Sequence, residues 1–365
     1  MNNKMERKNC LLLNFTVDGY HWGCYGTSIE LYDSLIERGY YVNYHTVNEA
    51  HSKLAEVPTD LKDFDSAEQA KRFATANLSL FSDMVAADVV VCNGEGTLHR
   101  NNLAPWNLLY LMYFSKKYLE KRVHLINHSS YPSGSLEVSE HVDVLYGGVL
   151  RTLDLVASRE INSTANLKRL SIDVVQSFDC LPRFIDRYAV ARTVSPDGPI
   201  LVSGGMALNE QQCKGIAEGV APLVSKQRPA IFITGAKTNP AVEDKKQYEL
   251  MCSILPALQF SEAATVGEWL EIIGAGSVLV SGRFHHTIAA ASLLTPVVCL
   301  PSNTMKIEGI CSMLGLNAPI PVGLESRSNI ITRGITQALD GDSPTISSDT
   351  LTEILALGER NFDDL

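Results

Sequence analysis

No window of the 365-residue chain approaches the ~20 consecutive apolar residues that a membrane-crossing helix needs, which speaks against an integral helical membrane protein. Basic charge is also scarce: 31 Lys and Arg stand against 41 Asp and Glu, a formal net charge of −10. A general nucleic-acid binder draws most of its affinity from a basic surface, and a peripheral membrane protein is held by a polybasic segment; neither is present. The eight cysteines, at 10, 24, 92, 180, 213, 252, 299 and 311, include no C-x-x-C pair, so no zinc site is expected from them. Cys10, Cys92 and Cys299 lie in apolar runs and read as small buried hydrophobes of a reducing compartment. The start lacks the marks of a secretory leader, since Lys4, Glu6, Arg7 and Lys8 precede only a short apolar stretch, Leu11 to Leu13, before Asn14 interrupts it. The expected location is the cytosol. There is no internal repeat and no low-complexity tract.

What remains, 45% hydrophobic and 20% charged residues, is the composition of a folded, water-exposed chain. Short β-branched runs alternate with amphipathic stretches. The spacing predicts strands at Cys10–Thr16, Tyr41–Thr46, Asp88–Cys92, Val123–Asn127, Asp154–Ala157 and Asp173–Ser177, with helices at Thr27–Arg38, Ala67–Met84 and Pro105–Glu120 among them. A proline-bearing, charged passage from Leu181 to Pro199, ending in the turn signal Ser195-Pro196-Asp197-Gly198, interrupts the pattern. Alternation then resumes. Strands are expected at Ile200–Ser203, Ala230–Thr234, Ser277–Val280 and Val297–Leu300, and helices at Asn209–Leu223, Glu243–Leu255, Val266–Ile273, Phe284–Leu294 and Ser347–Leu357. The expected architecture is α/β: two Rossmann-like domains with mostly parallel sheets, residues 1–180 and 200–365, joined by a hinge at 181–199 and facing a cleft in which the site lies. The sequence leaves open which domain the last helix packs on.

The densest chemical constellation is Ser281-Gly282-Arg283-Phe284-His285-His286, at a strand exit that opens a helix. Free N–H groups at a helix start favour an anion, and Arg283 adds a cation. Asn303 and Lys306 follow the next strand, whose exit reaches the same rim of a parallel sheet. A second feature, Asn93-Gly94-Glu95-Gly96-Thr97, is a glycine turn after a strand, where exposed N–H groups can approach a ligand; it lacks the Gly-Lys-Ser/Thr ending of a P-loop. Glu95 is its unusual member, a carboxylate able to accept from a substrate hydroxyl. A third glycine turn, Gly23-Cys24-Tyr25-Gly26, precedes Thr27 and Ser28, either of which can cap the next helix. Arg159 stands at another strand exit, before Glu160, as a cleft-facing cation or as half of a surface ion pair. His124 and His128 do not read as a metal pair, because four residues along a strand span ~13 Å.

Together these residues resemble the polysaccharide pyruvyl transferase family. The family's strand, Arg-Leu-His, helix, Gly-x-Pro and lysine pattern appears as Arg283-Phe284-His285, Thr295-Pro296 and Lys306, preceded by the helix Thr265–Gly274. Arg159-Glu160-Ile161-Asn162-Ser163 resembles the family's Arg-Asp/Glu-x-x-Ser element and Phe178-Asp179 its later aspartate segment. The chain departs from the pattern at Thr27, where an acidic residue is usual, at Glu95 inside the second glycine run, and in a Lys306 one position further from the histidine. The resemblance implies a GT-B-like fold and transfer of a pyruvyl group from phosphoenolpyruvate to a sugar as a cyclic ketal, with no metal or redox cofactor. His285, Arg159 and Lys306 match the catalytic and donor-binding positions. The implied partners are phosphoenolpyruvate and a glycan acceptor of capsule, exopolysaccharide or wall-glycan synthesis, lipid-linked or free. A glycosyltransferase using a nucleotide sugar, or a catalytically silent glycan-binding protein, are the alternatives on the same fold.

Overall fold

The computed structural model describes residues 7–19, 21–51, 53–100, 102–133, 140–188, 195–206, 208–235, 242–321 and 327–365; Lys4, Glu6 and part of the expected hinge lie outside them. The chain divides into two compact units, one of Met1–Gly19, Thr27–Cys180 and Leu357–Leu365, the other of Tyr20–Gly26 and Leu181–Ala356.

The first unit is built on strands β1 (Asn9–Phe15), β2 (Tyr41–Thr46), β3 (Val89–Glu95), β4 (Arg122–His128), β5 (Leu155–Ser158) and β6 (Val175–Gln176) in the order β2-β1-β3-β4-β5-β6. Every neighbouring pair is parallel. Successive residues serve opposite faces: Leu11, Leu13, Val90 and Cys92 enter one apolar cluster, Cys10, Leu12, Val89 and Val91 the other. A strand covered on both faces is therefore apolar throughout, which is why these runs stand out in the sequence. Helices α1 (Trp22–Glu37), α2 (Val47–His51), α3 (Ala67–Ala76), α4 (Leu78–Ala86), α5 (Leu103–Lys117), α6 (Glu140–Leu150) and α7 (Ile161–Arg169) follow the strands. Periodicity predicted α3 and α4 as one helix. They are separate because Asn77 leaves the helical region and its amide Nδ2 donates to Ala55 O and Phe73 O, a side chain displacing a continuous backbone ladder.

The main stretch of the second unit starts with α8 (Leu181–Arg187), in the interval expected to be linker; Pro182 sits in its first turn, where a missing N–H is harmless. Strands β7 (Ile200–Gly205), β8 (Ala230–Ile233), β9 (Gln259–Ser261), β10 (Val278–Gly282) and β11 (Val297–Cys299) form a second parallel sheet in the order β11-β10-β7-β8-β9. The remaining helices are α9 (Glu210–Val220), α10 (Val242–Cys252), α11 (Val266–Gly274), α12 (Phe284–Ser292), α13 (Lys306–Leu314), α14 (Arg327–Leu339) and α15 (Ser348–Glu359). No helix among the described residues is long and apolar enough to cross a membrane. Each sheet has a point where the strand order reverses, between β1 and β3 and between β7 and β10. Ligands of open α/β sheets gather at the carboxyl ends of such strands.

At the second of these points the backbones press together. A Cβ on Gly282 would stand 3.1 Å from both Gly205 Cα and Pro301 O, so only glycine fits without moving main chain. Gly282→Ala should destabilise the protein by ~1–3 kcal/mol in urea unfolding. Gly148→Ala, within α6 where an added Cβ meets nothing within 4 Å, should be neutral or stabilising.

Candidate functional site

The constellation Ser281–His286 lies at the carboxyl ends of β7, β8 and β10. Ser281 accepts the Arg283 N–H (3.0 Å), turning the chain out of β10 into α12. Arg283 is buried, ion-paired with Asp244 of α10, and its Nη1 lies 2.9 Å from Met206 Sδ. His286 uses both ring nitrogens inside the fold: Nε2 accepts from Trp269 Nε1 (3.3 Å) and the ring bonds the Thr234 backbone. Burial, then the Arg283 charge, hold it well below the ordinary histidine range. It is a neutral structural imidazole rather than the substrate contact expected from the sequence.

His285, in the first turn of α12, is half-buried, and Lys306 opens α13 with Nζ 5.9 Å from the centre of the Phe284 ring. His21, Gly23 and Cys24, far away in sequence, also lie beside His285. A Cβ on Gly23 would fall 2.2 Å from His285 Cβ, and Cys24 Sγ lies 3.9 Å from His285 Nδ1. Trp22 N–H donates to Gly235 O (2.8 Å) and Trp22 Nε1 to Ala263 O (3.2 Å), fixing this turn in place. Burial lowers His21 to about 3, with Arg283, His285 and Lys306 all close enough to add to the effect. The expected glycine turn at 23–26 is instead the first turn of α1, so neither Thr27 nor Ser28 is its cap. Gly26 serves packing, since a Cβ there would meet Leu181 Cδ1 at 3.0 Å. Gly282 is likewise accounted for by the close backbone approach, and Asn303 stands exposed ahead of α13.

In the first unit the polar groups gather at the ends of β1, β3, β4 and β5. Asn14 donates to Asn93 O (2.6 Å) and Thr97 Oγ1 (3.0 Å), and Asn127 donates to Asn93 Oδ1 (3.2 Å). Asn93 and Thr97, expected to bind substrate, therefore knit three strand ends together. Gly94 is required by His128, whose Cβ would be 2.7 Å from an added methyl, whereas Gly96 has ordinary space around it. Glu95, read as part of a turn, ends β3 in the left-handed region (φ 34°), a conformation unfavourable to glutamate. Its buried carboxylate accepts from Thr16 Oγ1 (3.1 Å), which also contacts Ser28 Oγ (2.7 Å).

Arg159 is 2% exposed. Its Nη1 meets Asp179 Oδ2 and its Nε donates to Ser129 Oγ, both at 2.7 Å, while Thr27 Oγ1 donates to Asp179 Oδ1 (3.1 Å). No Arg159–Glu160 surface pair exists: Glu160 is buried, caps α7 by accepting from the N–H groups of Asn162 and Ser163, and receives the Tyr131 hydroxyl. Sequence reasoning flagged Asp179 only through a segment resemblance and missed His21, Cys24 and Asp244, whose roles depend on contacts distant along the chain. Among the described residues no group of three His, Cys, Asp or Glu side chains is placed to hold a metal ion.

Residues 31–304 match the family model for polysaccharide pyruvyl transferase. No curated protein sequence matches the chain. Among solved structures the chain is similar to a putative UDP-N-acetylglucosamine 2-epimerase from Listeria monocytogenes, at 13% identity and a TM-score of 0.59, over 99% of this chain and 98% of that one. It is similar to sucrose-phosphate synthase from Thermosynechococcus elongatus at 13% identity and a TM-score of 0.58, over 96% and 95%. It is also similar to Anabaena HepE in complex with UDP and glucose, at 12% identity and a TM-score of 0.53, over 98% and 96%. At these identities the likeness shows the fold alone, a GT-B-like α/β chain of two parallel-sheet domains.

Two outcomes test the electrostatics. Asp179→Ala leaves the Arg159 guanidinium buried without its carboxylate and should cost ~3–5 kcal/mol in denaturant unfolding. Burial also depresses His128 and His286 strongly, His21 to about 3 and His124 to about 4. The unfolded chain, titrating near ~6.5, then takes up these protons first as pH falls. Their contribution is complete above that value and is lost on acidification; the raised carboxyls of Glu160 and Asp244 oppose it only in part. The melting temperature should drop by at least ~5 °C between pH 7 and pH 5, measured by calorimetry.

Proposed function

The chain belongs to the polysaccharide pyruvyl transferase family, and we propose that it transfers the pyruvyl group of phosphoenolpyruvate to two neighbouring hydroxyls of a sugar in a polysaccharide or its precursor. The products are a cyclic ketal and inorganic phosphate. The observation that carries this reading is that His285 and Lys306, 21 residues apart at the starts of α12 and α13, both lie close to His21, in a chain whose residues 31–304, His285 among them, match the family model.

His285 is the proton donor. Protonating the methylene carbon makes the adjacent enol carbon electrophilic; one sugar hydroxyl adds there and its proton returns to His285, phosphate leaves, and the second hydroxyl closes the ring with its proton passing to the departed phosphate. A positioned histidine contributes ~10²–10⁴ in rate to such a proton transfer. Lys306 acts as a point charge on the departing phosphate, and Arg283, already matched by Asp244, braces the loop. Arg159 supplies the first unit's guanidinium for an anionic substrate group, its plane fixed by Asp179 and Ser129. Glu95 accepts from acceptor hydroxyls. The family points to glycan synthesis, and the chemistry needs no metal or redox cofactor.

Phosphate release from phosphoenolpyruvate should depend on added glycan and fall by ~10²–10⁴ in His285→Ala. Thermal stabilisation by phosphoenolpyruvate supports the assignment. Stabilisation by UDP-sugars instead would favour glycosyl transfer, and by glycans alone a binding protein.

A further inference from the structure

We propose that His99 is a substrate-binding residue, its Nε2 and Arg159 Nη2 together holding a carboxylate of the substrate in the space over the Gly96 α-carbon. The inference rests on the reading of Arg159 as a contact for an anionic substrate group. What carries it is the space at one glycine. A Cβ on Gly96 would stand 3.5 Å from His99 Nε2 and 3.9 Å from Arg159 Nη2. Its own chain neighbours aside, no other heavy atom of the described residues lies within 4 Å of that point. At Gly94 the equivalent position is taken by the His128 ring, and at Gly148 nothing lies within 4 Å. Gly96 combines room with two side-chain nitrogens facing it.

The local chain builds this arrangement. Glu95 leaves β3 in the left-handed region, and the Thr97 N–H closes the turn on Gly94 O (3.1 Å), which sets Gly96 at the strand exit. The His99 N–H donates to Thr97 O (2.9 Å), and its ring centre lies 5.9 Å from that of Tyr131. Gly96 and His99 are half-buried, while Arg159 lies deeper. Asp179 engages Arg159 Nη1 and Ser129 its Nε, which fixes the guanidinium plane with Nη2 on the Gly96 side. Arginine carries five N–H donors, so it can serve Asp179 and a second carboxylate together. The two nitrogens are no farther apart than their distances from the Gly96 Cβ point laid end to end. The two oxygens of one carboxylate cross such a span with a bond of ~2.7–2.9 Å at each end. An anionic oxygen can only accept, so in the bound state both nitrogens donate, whichever tautomer His99 adopts without ligand. Two sources of the carboxylate fit the proposed reaction: phosphoenolpyruvate, or an acidic sugar of the acceptor.

The test is calorimetric titration of the full chain with phosphoenolpyruvate and, separately, with glucuronate. At least one of the two should bind, and Gly96→Ala and His99→Ala should each weaken that binding about tenfold or more. Gly96→Ala fills the space with a methyl that makes ordinary contacts, so its melting temperature should stay within ~2 °C of the unaltered chain's. His99→Gln, whose amide offers an N–H near the position of Nε2, should bind within about threefold of the unaltered chain. The proposal is overturned if the unaltered chain binds neither carboxylate, if Gly96→Ala or His99→Ala stays within twofold, or if His99→Gln is as weak as His99→Ala. Glucuronate binding that both alanine variants lose, without any binding of phosphoenolpyruvate, upholds the site and removes phosphoenolpyruvate as the donor. Should Gly96→Ala not fold, the two His99 variants decide.

Discussion

A charge taken out of water must be matched or removed, and the polar ends of both sheets are arranged around that requirement. Arg159 is buried and lies against Asp179; Arg283 is buried and lies against Asp244. For His128 and His286, at the same strand ends, no carboxylate among the described residues contributes, and burial holds both well below the ordinary histidine range instead. Among the residues expected at the second site, His285 and Lys306 are the ones left half-buried at the rim. This division separates charges matched inside the fold from the groups nearer its surface. A net charge of −10 is a sum over the whole surface and does not fix the charge at any one strand end.

The strands were legible in the sequence because parallel strands covered on both faces are uniformly apolar, and the Arg283–His285 exit was legible because strand, turn and helix start follow each other directly. What depends on distant partners was not. The stretch 23–26 looks like a turn from its glycines, yet it is helical because Trp22 finds Gly235 and Gly23 finds His285, more than 200 residues away. Pro182 looks like an interruption and begins a helix. β9, three residues long with two of them exposed, carries too little pattern to read. Asp244 lies in the mixed-charge run Glu243-Asp244-Lys245-Lys246 and has nothing to mark it until the fold brings Arg283 to it.

Glu95 shows how the two kinds of information complement each other. Composition marks it as odd between two glycines, and the backbone shows that it occupies a glycine-like conformation itself. Asn14 and Asn127, on the flanking strands, adopt left-handed conformations too, but asparagine tolerates them well and glutamate does not. Strain of this kind persists where surrounding bonds over-determine the backbone. Here the Ser129 N–H donates to Glu95 O and Thr16 holds the carboxylate, so the side chain is kept at the strand-order reversal of the first sheet.

The two units are not consecutive stretches of chain. Tyr20–Gly26 is counted with the second unit and Leu357–Leu365 with the first, where Asn361 accepts the Asn127 N–H and donates to Phe178 O. A gene cut once, after Cys180, would therefore encode no intact half: one fragment would carry away the turn that packs on His285, the other the asparagine that ties β4 to the segment after β6. Such a chain resists being shuffled as interchangeable cassettes.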